Sequence, residues 1–157
     1  KWYQQPNSTD RAEAERWLEM MSLEHLATTS FMTLSGGQKQ LVLIAQALTS
    51  ECNLLILDEP SSALDLQNQE KLFAILTKLQ ETNTLTFVFS THDPNQAYHH
   101  CEQLMMLGFG QQQHGQCKEI MNVSSLQEIY NVNFEEVEWK NNNLKYFIHI
   151  PITRFNN

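Results

Sequence analysis

The chain has 157 residues, 41% of them hydrophobic and 18% charged, which suits a globular protein with one buried core. A formal net charge of -8 and a pI near 5.1 argue against a nucleic-acid scaffold, which would be basic, so no nucleic acid is expected as a partner. No apolar run approaches the roughly 18 residues of a spanning helix, no signal-peptide pattern is visible, and Cys52, Cys101 and Cys117 lack framework spacing and read as reduced thiols of a cytosolic protein.

In chain order, Ala14, Trp17, Leu18 and Met21 recur at helical spacing. They predict a helix from about Asp10 to Met21, with Asp10 and Glu13 as its capping pair. A short helical stretch around Leu23 to Ala27 follows. Leu41, Ile44, Ala45 and Leu48 repeat the spacing, so a helix begins near Ser35. Asn53 to Leu57 reads as a fully buried strand, and Leu66 to Gln80 as a helix. Thr84 to Phe89, rich in β-branched and aromatic residues, reads as a strand. Asp93-Pro94 starts a helix, Gln103 to Leu107 is a further strand, and Ser125 with Glu128 caps a helix to about Tyr130. The alternation between residues 53 and 107 predicts a parallel sheet with helical crossovers. Phe134 to Trp139 and Leu144 to Ile150 flank Asn141-Asn142-Asn143 and predict a β-hairpin appendage. The expected divisions are 1–50 (helical segment), 51–117 (α/β core) and 118–157 (C-terminal helix and hairpin).

Two strings carry the chemistry. Residues 34–38 read Leu-Ser-Gly-Gly-Gln, a fixed pentapeptide expected by chance at roughly one position in a million if each residue type occurs at about 7%. Gly36 and Gly37, where a helix starts, let backbone N–H groups approach an anion, and the helix dipole favours phosphate. Ser35 adds a hydroxyl and can cap the helix. A Ser-Gly-Gly turn alone would merely start a helix; its company points to a ligand. Residues 54–60 read Leu-Leu-Ile-Leu-Asp-Glu-Pro. Carboxylates at a strand's C-terminal end face the crevice where α/β sheets bind ligands. Asp58 is suited to Mg²⁺ and Glu59 to polarising a water. His92, within Ser90-Thr91-His92-Asp93, follows the next strand and is placed to reach the same crevice.

These strings resemble the nucleotide-binding domain of ABC transporters. Leu34 to Gln38 matches the family signature, Leu54 to Glu59 the Walker B strand with its glutamate, Ser62-Ala63-Leu64-Asp65 the D-loop, and His92 the switch histidine. The resemblance covers roughly residues 8–131. It implies an α/β, P-loop NTPase-like ABC ATPase core, a parallel sheet with flanking helices, plus a helical subdomain. The implied cofactors are ATP and Mg²⁺. Two such domains would sandwich ATP head to tail and drive a membrane permease served by a substrate-binding protein. They would sit peripherally on the cytoplasmic face of the membrane. Asp58 would hold Mg²⁺, Glu59 would activate water and His92 would contact the γ-phosphate. Ser35, Gly36, Gly37 and Gln38 would grip ATP held by the partner, and Asp65 would lie at the dimer interface.

The stretches Gln40 to Ala45 and Ser90 to Ala97 look most like bacterial importers of iron-siderophore, haem, cobalamin or related metal complexes. Gln46 departs from the family's usual Arg.

The family's phosphate loop, Gly-x-x-x-x-Gly-Lys-Ser/Thr, is absent from these residues. The string Gly110 to Gly115 lacks the Lys and hydroxyl and follows Walker B rather than preceding it. The chain is therefore expected to be part of a longer or truncated ATPase, without the N-terminal strands, and inactive alone. The alternative is a non-catalytic subunit that donates its signature to a complete partner ATPase. His99, His100, Cys101, His114 and Cys117 fit no zinc spacing.

Overall fold

A computed structural model describes residues 6–50, 52–82, 85–139 and 144–151. Residue contacts group the chain into two compact units, Lys1–Ser90 and Thr91–Asn157. The expected boundary at residue 50 disappears inside the first unit because Leu41, Ile44 and Leu48 share one apolar core with Leu55, Leu57 and Leu72.

The first unit opens with α1 (Ser8–Met20). Its capping box is Asn7 with Asp10: the Asn7 side chain accepts from the Thr9 and Asp10 amides, and Asp10 accepts from the Asn7 amide. The expected pair was Asp10 with Glu13. The three-residue spacing fits both pairs, and the Asn, a preferred N-cap, starts the helix earlier. Glu13 instead accepts from Arg16 and from the Trp17 indole, each at 2.7 Å. Trp17 and Met21 are buried, as their spacing predicts. Short 3₁₀ turns at Glu24–Leu26 and Phe31–Thr33 lead to α2 (Gly36–Leu48), which buries Leu41, Ile44, Ala45 and Leu48.

Strand β1 (Leu54–Leu57), helix α3 (Leu66–Glu81) and strand β2 (Thr86–Phe89) form a parallel crossover. The register runs from Leu54↔Thr86 to Leu57↔Phe89. Leu72, Phe73 and Leu76 of α3 are buried, each contributing about 1.5–3 kcal/mol by leaving water. β1 is not buried on both faces. Leu55 and Leu57 enter the core, while Leu54 and Ile56 are 54% and 72% exposed. Among the described residues, the core cluster takes up one side of this strand only. Thr84, in the expected strand, lies outside the described residues.

In the second unit, Asp93 caps α4 (Pro94–His100), with Pro94 in the first turn as expected. Strand β3 (Gln103–Gly108) pairs antiparallel with β4 (Gln111–Gln116), not as a third parallel strand. Phe109 and Gly110 both have positive φ, 45° and 78°. This is the backbone of a two-residue hairpin turn, which returns the chain onto its neighbour. Gln-rich β4 has no β-branched or apolar alternation, so its pattern gives no strand signal. The Gly110 to Gly115 string is thus this turn and strand.

After a short α5 (Cys117–Ile120), helix α6 (Val123–Tyr130) is capped by Asn122 with Ser125 rather than by Ser125 with Glu128. As at α1, an Asn one turn earlier takes the cap. β5 (Asn133–Trp139) and β6 (Leu144–Ile150) form the expected hairpin. Phe134 and Phe147 are its buried residues; Val137, Trp139, Leu144, Tyr146 and Ile148 stay exposed. The Asn95 side chain ties the hairpin to α4, donating to Phe147 O at 3.0 Å and accepting from Phe147 N at 2.7 Å. Among the described residues no helix is long and apolar enough to cross a membrane.

Cys117 is fully buried. Burial, and secondarily Cys117, push the Cys101 thiol up to about 12. Burial also raises Cys117, against the pull of Lys118. A raised thiol pKa leaves little thiolate at pH 8. Alkylation of Cys101 and Cys117 in the folded chain is expected to be at least about 100-fold slower than in urea, read by mass spectrometry of iodoacetamide-treated protein. Labelling at equal rates in both states would contradict this packing.

Candidate functional site

The Leu34 to Gln38 string becomes a closed helix start. The Ser35 hydroxyl accepts from the Gln38 amide at 3.2 Å, and the Gln38 side chain returns to the Ser35 amide at 2.9 Å. This capping box satisfies the Ser35 and Gln38 amides within the string. The Gly36 and Gly37 amides belong to the first turn, which has no intrahelical acceptors, and are the groups that can meet an anion. Ser35 and Gln38 therefore shape the helix end as well as offering polar atoms.

Gly37 has a second reason to be glycine. A Cβ there would lie 2.8 Å from the Ala63 carbonyl oxygen, whereas a Cβ on Gly36 would meet Ala63 Cβ at an ordinary 3.9 Å. The signature helix thus rests directly on the Ser62-Ala63-Leu64-Asp65 loop of the same chain. That loop is held internally. Gln69 donates from Nε2 to Ser61 O at 3.1 Å and to Leu64 O at 3.0 Å. Asp65 caps α3 by accepting from the Asn68 amide at 2.9 Å, a structural role beside the interfacial one the resemblance implies.

Asp58 and Glu59 follow β1 and are exposed. Glu59 has a left-handed backbone, φ 42°, which is uncommon for a residue with a Cβ. Its carbonyl accepts from the Ser62 amide at 3.1 Å and the Ser62 hydroxyl at 3.0 Å. Its amide donates to the Ser90 hydroxyl at 2.9 Å, and that hydroxyl donates to Asp58 Oδ1. The donor set is oxygen-only, with two adjacent carboxylates, and fits a hard cation such as Mg²⁺.

His92 belongs to the second unit. Its carbonyl accepts from the Tyr130 hydroxyl at 3.0 Å, whose pKa is raised by burial and then by Asp93. Thr91 Oγ1 donates to Gln96 and accepts from the Asp93 amide, anchoring the segment to the start of α4. The first unit holds Ser35, Gly36, Gly37 and Gln38 at one helix start, with Gly37 against Ala63 of the loop that ends at Asp65, and Asp58 and Glu59 beside Ser90; His92 is placed within its own unit. Sequence reasoning missed Ser90 and Gln69. Ser90 directly precedes Thr91-His92, a position that pattern alone cannot separate from strand end.

A glycine-led helix start, a strand ending in paired carboxylates and a parallel crossover place the chain in the P-loop NTPase-like class of α/β ATPase cores. The family model described as ABC transporter matches residues 2–62. The molybdate import ATP-binding protein MolC of Haemophilus influenzae is 35% identical over 148 residues, 93% of this chain and 58% of that protein. A Helicobacter pylori protein named for iron chelatin transport is 39% identical over 65% of this chain and 40% of its own length. Among solved structures, an inward-facing ABC transporter of metal-chelate type has a TM-score of 0.87 and 34% identity. It matches over 98% of this chain and 62% of that one. The chain belongs to the family of ABC transporter ATP-binding proteins, and it spans about half the length of these relatives.

The Gly37 contact gives a stability test. Gly37→Ala should destabilise the chain by about 1–3 kcal/mol, because backbone must move, while Gly36→Ala should stay within about 0.5 kcal/mol. Urea unfolding of the two variants measures both; equal effects would remove the packing role of Gly37.

Proposed function

We propose that this chain is the signature- and Walker B-bearing part of an ATP-hydrolysing importer subunit. The observation that carries the reading is the end of β1, where Asp58 and Glu59 stand side by side on a backbone held from both β2 and the following loop.

Asp58 would hold Mg²⁺, which when bound neutralises charge on the triphosphate. Glu59 would orient a water and take its proton as the water oxygen attacks the γ-phosphorus. The bond from that phosphorus to the β,γ-bridging oxygen breaks, giving ADP and inorganic phosphate. The Gly36 and Gly37 amides, with Ser35 and Gln38, would bind the nucleotide of a second, head-to-tail subunit. Asp65 would lie at that interface. His92 is assigned to the γ-phosphate by its motif. The transporter would include a permease and a substrate-binding protein, with this subunit peripheral on the cytoplasmic face. The names of the molybdate, iron chelatin and metal-chelate relatives support a metal-containing anion or chelate as cargo. By itself the chain, lacking a phosphate-loop string, is expected to turn over no ATP above background.

The test is a chimera in which this chain replaces the 148 matched residues of the Haemophilus influenzae protein. It should hydrolyse MgATP, and Glu59→Gln should lower kcat by about 10²-fold or more while a fluorescent ATP analogue still binds. A folded chimera that binds the analogue but shows no Glu59-dependent turnover would overturn the reading.

A further inference from the structure

We propose that Ser90 is the positioning residue of this ATPase site, fixing both the Asp58 carboxylate and the Glu59 backbone through one hydroxyl. The inference rests on the ATPase reading above for its catalytic consequence, though not for its geometry.

The β1–β2 ladder ends at Leu57↔Phe89, and the Ser90 amide adds a last rung by donating to Leu57 O at 3.0 Å. β1 ends at Leu57, and Glu59, two residues on, takes a left-handed φ of 42°. The Glu59 amide then donates to a side chain instead of a strand, the Ser90 hydroxyl at 2.9 Å. A hydroxyl has one proton to give, and this one goes to Asp58 Oδ1. Accepting from one residue and donating to its neighbour fixes the hydroxyl rotor. On the far side, Ser62 holds the Glu59 carbonyl through its amide and hydroxyl. The two peptide groups that flank the Glu59 Cα are thereby clamped, one at its N–H and the other at its C=O.

Two consequences follow for the chemistry. With Oδ1 bonded to Ser90, rotation of the Asp58 carboxylate is restrained, so the group would meet a cation with less reorientation. With its backbone clamped, Glu59 is aimed without having to find its direction at each turnover. Alanine at position 90 removes both bonds and leaves the strand, since the rung to Leu57 uses the Ser90 backbone. Threonine keeps the hydroxyl.

The experiment has two arms. In the full chain, amide hydrogen exchange is followed by NMR for wild type, Ser90→Ala and Ser90→Thr. Ser90→Ala should speed exchange at Glu59 by about ten-fold, the scale of one lost hydrogen bond, with Leu55 and Val88 unchanged; Ser90→Thr should restore protection. Unchanged Glu59 exchange in Ser90→Ala overturns the proposal. In the chimera, Ser90→Ala should raise the Mg²⁺ concentration for half-maximal turnover by about ten-fold and lower kcat, with recovery in Ser90→Thr. If both quantities stay at wild type while Glu59→Gln abolishes turnover, Ser90 is not a positioning residue and the ATPase reading stands. If Glu59→Gln costs nothing, the ATPase reading fails and the exchange arm alone decides the Ser90 geometry. Should Ser90→Ala unfold the chain, Ser90→Cys, with its weaker hydrogen bonds, takes its place and intermediate values are expected.

Discussion

The parallel pairing of β1 with β2 is the constraint on which the chemistry of the first unit depends. Parallel neighbours cannot be joined by a tight turn, so a crossover must leave β1 and return beside it, and α3 is that crossover. Both strands then end at the same edge. Asp58 and Glu59 after β1 and Ser90 after β2 become neighbours although they lie 32 and 31 positions apart in sequence. The loop from Pro60 to Asp65 is the start of the crossover, and its shape is set by Gln69 one turn into the helix it feeds.

The signature helix is fitted to that same loop. Because Gly37 lies against the Ala63 carbonyl, the helix start cannot shift toward the loop without a backbone collision. The loop that Gly37 touches is itself tied back to Glu59, whose carbonyl accepts from the Ser62 hydroxyl.

Much of the elements' placement was legible in the chain itself. Helical spacing located α2 and α3, Asp93-Pro94 marked the start of α4, and the tail hairpin followed from its alternating strands. The capping pairs of α1 and α6 differ from the spacing-based expectation for one reason. An Asn stands three residues ahead of Asp10 and of Ser125, and pattern alone does not rank two cap candidates at the same spacing. β4 was invisible because its strand character comes from pairing to β3 through a left-handed turn, not from its glutamines. The hairpin's buried faces were also hidden, since alternation identifies two faces without saying which one meets the core.

The sequence by itself determined which chemical groups stand at the candidate site. Adjacent carboxylates after an apolar run and paired glycines before an amphipathic one are donor types and local spacings written in the residues. Tertiary structure decided how those groups are held. The bonds from Ser90 to Asp58 and Glu59, the rest of Gly37 on Ala63 and the exposure of Leu54 and Ile56 join or leave open residues far apart in sequence. Such relations arise only when strands pair and helices pack, so no local pattern encodes them.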